Sequence, residues 1–236
     1  MPRSSWTVRT GLSALAVIAL ASAAQAQGSA QQEVEAIKTA MSANAAAQRN
    51  YAWQQTTAVA FKGEVKSTTT SACQYMAGGT KPTCTVTSAP PEAKRQRGPV
   101  RRSVKDSKVD ELKSYMDSVK TLVAQYVPPK AAAIQAAQGR GDVATAPNPS
   151  NGTLALTVSN YLQKGDKVII TVNQTTKQVS HVAVDTWLND PSATVTLDVA
   201  FTTLPNGVSF ASTKTLTATA KEVVVTITDA GFALAQ

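Results

Sequence analysis

Few side chains in this sequence can react or ligate, and their numbers restrict the chemistry at once. One histidine, His181, and two cysteines, Cys73 and Cys84, fall short of the four Cys/His ligands of a structural zinc site. A Ser-His-Asp or Cys-His mechanism would have one possible base, His181. That histidine sits in the alternating run Val179 to Leu188, on the face opposite Val182 and Val184, which reads as a surface position and not a catalytic one. Asp185, Asp190 and Asp198 are scattered acids of the same region. Paired carboxylates hydrolyse glycosides only at defined separations, which spacing along a chain does not supply. A phosphate-binding glycine loop, a dinucleotide fingerprint, a G-x-S-x-G elbow and an H-E-x-x-H pair are all missing from the sequence. These counts point away from an enzyme, and they call for neither a metal nor a cofactor.

The elements that would carry any site begin with an address. Arg3 and Arg9 precede an apolar run, Leu12 to Ala21, and Ala24-Gln25-Ala26 supplies the small-x-small pattern of a signal-peptidase site. The run is shorter than the roughly 20 residues that cross a bilayer. The expectation is a signal peptide over 1–26 and an exported, periplasmic or extracellular domain over 27–236. Loss of the two arginines lowers the net charge from +8 to +6. Export to an oxidising compartment permits disulfides. Cys73 and Cys84 flank a turn-forming stretch with Gly78, Gly79 and Pro82, which would set them opposite one another on two short strands as a disulfide.

In the mature chain, Gln31 to Gln48 has helical spacing through Val34, Ile37, Met41 and Ala45. From Trp53 the period changes to two. Trp53, Val59, Phe61 and Val65 alternate with polar residues as in one long or bent strand, with Gly63 as its bend or bulge. Residues 85–107 read as a basic loop broken by Pro90, Pro91 and Pro99. Within it Lys94, Arg95, Arg97, Arg101, Arg102 and Lys105 carry positive charge without an intervening acid. Such a patch suits an anionic membrane surface or an acidic partner. Nucleic acid is excluded by the exported destination and by the lack of interleaved aromatics.

A helix follows from Ser107, its expected N-cap, to Tyr126, with Val109, Leu112, Tyr115, Met116, Val119, Leu122, Val123 and Tyr126 as one stripe. A second helix runs from Lys130 to Gln138 and ends at Gly139. Pro147 to Gly152 then read as a loop. Strands are expected at 154–158, 168–172, 179–188, 195–201, 208–216 and 223–227. Leu204-Pro205-Asn206-Gly207 makes a tight reversal between two of them. Val195, Leu197, Val199 and Phe201 share one face of their strand. The order of elements gives an α+β fold: an antiparallel meander with helices gathered on one side.

The stretch VTLDVAFTTLPNGVSFASTKTLTA, Val195 to Ala218, with the closing KEVVVTITDAGF, resembles the late hairpin and final strand of the LolA-type periplasmic lipoprotein-carrier superfamily. The order of helix, strand pair, helices and meander is similar too. The resemblance implies a curved antiparallel sheet, an unclosed barrel, with helices on its concave face and a cavity for acyl chains. The basic segment and the cysteine pair have no counterpart in that pattern, and no functional residue carries over. The expected function is an exported binding protein for a lipid, acyl chain or other apolar molecule. Trp53, Val59, Phe61, Val195, Leu197, Val199 and Phe201 would line its inner face. The alternatives are a cell-envelope structural or interaction module that uses the basic segment, and a hydrolase built on the scattered acids.

Overall fold

The computed structural model describes residues 39–88 and 99–235, with backbone only for 99–106. Gln31 to Lys38, the signal-type segment, and Lys94, Arg95 and Arg97 lie outside the described residues. A helix α1 over 39–48 leads into strands β1 (Tyr51–Phe61), β2 (Glu64–Tyr75) and β3 (Pro82–Ser88). Two helices follow, α2 (Pro99–Val123) and α3 (Ala131–Arg140). Seven strands complete the chain: β4 (Val143–Asn148), β5 (Thr153–Ser159), β6 (Lys167–Asn173), β7 (Val179–Trp187), β8 (Thr194–Thr203), β9 (Ser209–Ala218) and β10 (Val223–Leu234).

All ten strands join one antiparallel sheet in the order β3-β2-β1-β10-β9-β8-β7-β6-β5-β4. The meander from β5 to β10 was legible from its alternation, and β4 extends it by one strand. The pairing of β1 with β10 joins the first and last described strands and leaves β3 and β4, among the described residues, at the edges of the sheet. Those two edges are consecutive in the chain, so the α2–α3 connection runs from one side of the unclosed sheet to the other and packs on one face.

Several expectations change. The single strand from Trp53 is a hairpin: Lys62 and Gly63 both take positive φ, 55° and 77°, the backbone that a tight two-residue reversal demands. The basic segment is not a loop throughout. Residues 85–88 belong to β3, and Pro99 opens α2, so Arg101, Arg102 and Lys105 stand in helix and Ser107 lies inside it, not at its cap. Proline fits the first helical turn because its missing N–H would have no partner there. Helix α3 passes through Gly139 and stops at Gly141, whose φ of 80° lets its N–H turn back onto the last carbonyls. Pro147 lies in β4 and not in a loop, which an edge strand tolerates.

The core is one-sided. Tyr126 and Ala137 bury themselves against Val158, Val168, Ile170, Val182, Val184 and Val199. Val119 does the same against Val195 and Ala218, with Tyr115, Met116 and Val123 around it. Buried polar groups anchor the end of α2. Tyr126 Oη donates to Asp166 Oδ2 at 2.6 Å and lies 2.8 Å from Thr186 Oγ1. Asp166 also accepts the backbone N–H groups of Tyr161, Leu162 and Gln163, so its carboxylate organises the loop between β5 and β6. Tyr161 Oη accepts from the Lys130 N–H at 2.6 Å and fixes the start of α3.

Candidate functional site

The strand register draws rows of side chains across the helix-bearing face. One row passes through Val143, Val158, Val168, Val184, Leu197, Leu216, Val225 and Val59, aliphatic on all eight strands it crosses. A neighbouring row ends Val195, Ala218, Val223, Phe61. Alternation of apolar residues on each strand produces this, because side chains two apart point the same way. The helices use only part of it. Val195 and Val199 are buried under α2 and α3, and Leu197 and Phe201 pack against the same core. These four expected lining residues are therefore filled in by the protein's own helices. Val59 and Phe61, with Val225 and Ile227 beside them, are half-buried and belong to neither core.

An ion pair interrupts that remaining surface. Lys214 occupies the inner-face position between Val199 and Ile227 and pairs with Asp229. Asp229 is 7% exposed and also accepts from Gln55 Nε2 at 2.9 Å. A charge so far out of water needs both partners.

Trp53 lies further along the same face of β1, in a cluster that the sequence did not reveal. Its ring sits 6.2 Å from Phe232, 6.3 Å from Phe210 and 5.7 Å from Tyr75. Phe210 stacks on Phe232 at 4.1 Å and meets Tyr51 edge-on at 5.3 Å. These rings gather where the sheet splits. The β9–β10 ladder stops at Thr213 opposite Thr228, short of the start of β9, while β10 carries on along β1. An extra residue in β10 near Gly231, at φ 67°, breaks the register there. Helix α1 takes the vacated backbone positions. Asn44 accepts the Ser209 N–H at 2.7 Å and donates to its carbonyl at 2.9 Å, and Gln48 donates to that carbonyl as well. Tyr51 Oη accepts from Asn206 Nδ2. Among the described residues, the buried Trp53 Nε1 has no hydrogen-bond partner, and neither has the buried Ser209 Oγ on β9. Gly231 inside a strand pattern was the one sequence signal for this site.

The other candidates separate. Cys73 and Cys84 face each other across β2 and β3 and form the expected disulfide. Arg101, Arg102 and Lys105 share the first turns of α2, apart from the apolar face residues by element. His181 Nε2 lies 2.8 Å from Asp198 Oδ2 on the opposite, open face, an exposed pair. Asp185 pairs there with Lys167 at 2.9 Å, and Asp190 binds Ser192 in its own turn. The scattered acids thus have separate local partners. Arg140 closes onto Asp142 at 2.8 Å across Gly141, the C-cap of α3. Among the described residues, no three His, Cys, Asp or Glu side chains converge to hold a metal, and no helix is long and apolar enough to cross a membrane.

No protein-family model matches the chain, and no curated protein matches it. Among solved structures it is similar to the crystal structure of a LolA superfamily protein from Nitrosomonas europaea. The two are 9% identical, with 80% of this chain and 87% of the other covered and a TM-score of 0.31. The fold is assigned on strand order and pairing: an α+β protein with an unclosed, ten-stranded antiparallel sheet and helices on one face.

Proposed function

We propose that this chain is an exported, carrier-like binding protein that holds an acyl chain or another apolar ligand against the inner face of β1 and β10. The observation behind this reading is the mismatch between the apolar rows and the helices. The rows run on past the buried Val223 to Val225, Val59, Ile227 and Phe61, which are half-buried and join neither helix-covered core. An apolar surface left over by the fold's own packing is where a hydrophobic ligand gains most from leaving water. Export is supported by the charged and apolar pattern of Arg3 to Ala26 and by the Cys73–Cys84 bridge.

The test is gentle purification followed by native mass spectrometry, solvent extraction and titration with a fluorescent fatty acid. The expected result is a co-purifying apolar molecule, or saturable uptake that Val59→Asp or Val225→Asp abolishes. Protein that emerges empty and takes up no fatty acid would overturn the reading.

A further inference from the structure

The disulfide shows which way the backbone of β3 points. Cys73 and Cys84 stand opposite one another with their Cα atoms 4.1 Å apart, the spacing of a pair that exchanges no ladder hydrogen bonds. Further along β2, Thr70 turns its N–H to Ser88 Oγ and its carbonyl to Thr87 Oγ1. Ladder bonding alternates, so Ala72 and Gln74 also face β3, where their partners are Thr85 and Thr83. The intervening Cys84 and Val86 therefore aim their N–H and C=O groups away from β2, at the outer edge of the sheet. Among the described residues, no backbone hydrogen bond beyond the strand ladders reaches either of them.

Such an edge is usually guarded by charge or proline, because a row of unpaired backbone groups accepts another strand. The far edge, β4, carries Pro147, which removes a donor. On β3 the stretch from Thr83 to Val86 holds no charge and no proline, and all of it is exposed, Val86 at 57%. Pro82 occupies only the first position. A bulge at Thr87 ends the regular part, since Ser71 pairs with Val86 and Thr70 with Ser88. The bridge to β2 holds the strand in place, so little freedom is lost when a partner arrives.

The strand this edge fits is its own copy. Two β3 strands set antiparallel about a twofold axis at Cys84 give every outward N–H an acceptor. Each Cys84 N–H meets the other copy's Cys84 carbonyl, and each Val86 N–H meets the carbonyl of Pro82 in the other copy. On the face of the bridge, Val86 lies against that proline. On the opposite face Thr83 lies against Thr85, a favourable cross-strand pair, and no like charges oppose. We propose that β3 is a homodimer interface that joins two ten-stranded sheets edge to edge. The contact uses the same patch on both copies, so it closes at two and does not propagate. It stands apart from the apolar-ligand reading, and neither depends on the other.

Sedimentation equilibrium of the oxidised protein from ~10 μM to ~1 mM tests it, a range suited to a small contact. The expected result is a monomer that passes to a dimer and stops there. Val86→Pro deletes an outward N–H without touching the β2 ladder, and weakens the dimer roughly tenfold or more, since both copies lose a hydrogen bond. Thr85→Lys sets like charges diagonally across the axis and weakens it too, most at low salt. Adding Thr83→Glu places a carboxylate opposite each lysine and restores the dimer. These two variants read the register, and they carry the test if the proline variant folds poorly. A chain that stays monomeric to ~1 mM, a dimer indifferent to both Val86→Pro and Thr85→Lys, or growth beyond two copies each overturns the proposal. So would Cys84 and Val86 amides protected from hydrogen exchange in a monomeric sample, the sign of another segment already seated on the edge.

Discussion

Tyr126 and Asp166, forty residues apart in the chain, meet through a 2.6 Å hydrogen bond in a place sealed from water. Tyr126 lies in the turn that follows α2, and Asp166 holds the β5–β6 loop by three backbone N–H groups. The bond pins the connection to the sheet. Tyr126→Phe leaves Thr186 and Asp166 each short of a partner and is expected to cost about 2 kcal/mol. Asp166→Ala is expected to cost more, because three backbone donors lose their acceptor together. Urea denaturation of the two variants measures both.

The same tyrosine predicts an alkaline limit. Burial, reinforced by the Asp166 hydrogen bond, holds the Tyr126 hydroxyl well above the usual phenol range. Its folded pKa exceeds its unfolded value near 10, so the stabilisation is fully present below pH ~10 and is lost as pH rises beyond it. Tyr115 and Tyr75 are also raised, chiefly by burial. Tyr126→Phe should therefore flatten, without abolishing, the fall of melting temperature between about pH 10 and 12. An unchanged slope would remove Tyr126 from the account.

Val195 and Val59 separate packing from binding. Val195 is fully buried beneath Val119 and Val59 is half-buried outside both cores. Val195→Ala is expected to cost about 2 kcal/mol through lost contacts and a residual void. Val59→Ala should cost under about 1 kcal/mol while weakening fatty-acid uptake. Paired stability and binding titrations distinguish the two sites.

Lys214 and Asp229 should behave as a unit. Asp229→Ala strands the lysine ammonium, and Lys214→Met strands a carboxylate that is 7% exposed. Lys214→Met is expected to cost about 3 kcal/mol, and Asp229→Ala less, because solvent reaches the stranded Lys214 Nζ. The double variant Lys214→Met with Asp229→Leu should recover most of that loss. A double-mutant cycle in urea gives the coupling directly.

Reduction of Cys73–Cys84 frees a loop of sequence separation 11 at the exposed edge of the sheet. The expected loss is ~3 kcal/mol from the greater freedom of the unfolded chain. Paired serines at both positions should reproduce it, seen as a lower melting temperature that dithiothreitol no longer changes.

The legible parts of this fold were local ones. Val195, Leu197, Val199 and Phe201 announced a half-buried strand because alternation is written into adjacent residues, and the Val109 to Tyr126 stripe announced a helix for the same reason. Illegible were features set by distant neighbours. Nothing near Thr57 specifies Ile227 as its partner. Pro147 reads as a strand breaker until β4 proves to be an edge, and Pro99 as a helix breaker until it proves to be the first residue. Trp53 looked like one more lining residue. Its aromatic company comes from β9 and β10, brought in where a ladder stops and an extra residue bends the strand.

The pairing of β1 with β10 also dictates a schedule. Gln55 and Asp229 are 174 positions apart, and contacts that remote form late because the intervening chain must first give up its freedom. The strands from β4 onward can zip to their neighbours as they appear, whereas β1, β2 and β3 must wait for β10 before the main sheet accepts them. A nascent chain would therefore spend its whole elongation with an apolar hairpin face unclaimed, the kind of surface that aggregates or recruits a chaperone. Moving β1–β3 behind β10 by circular permutation should accelerate folding.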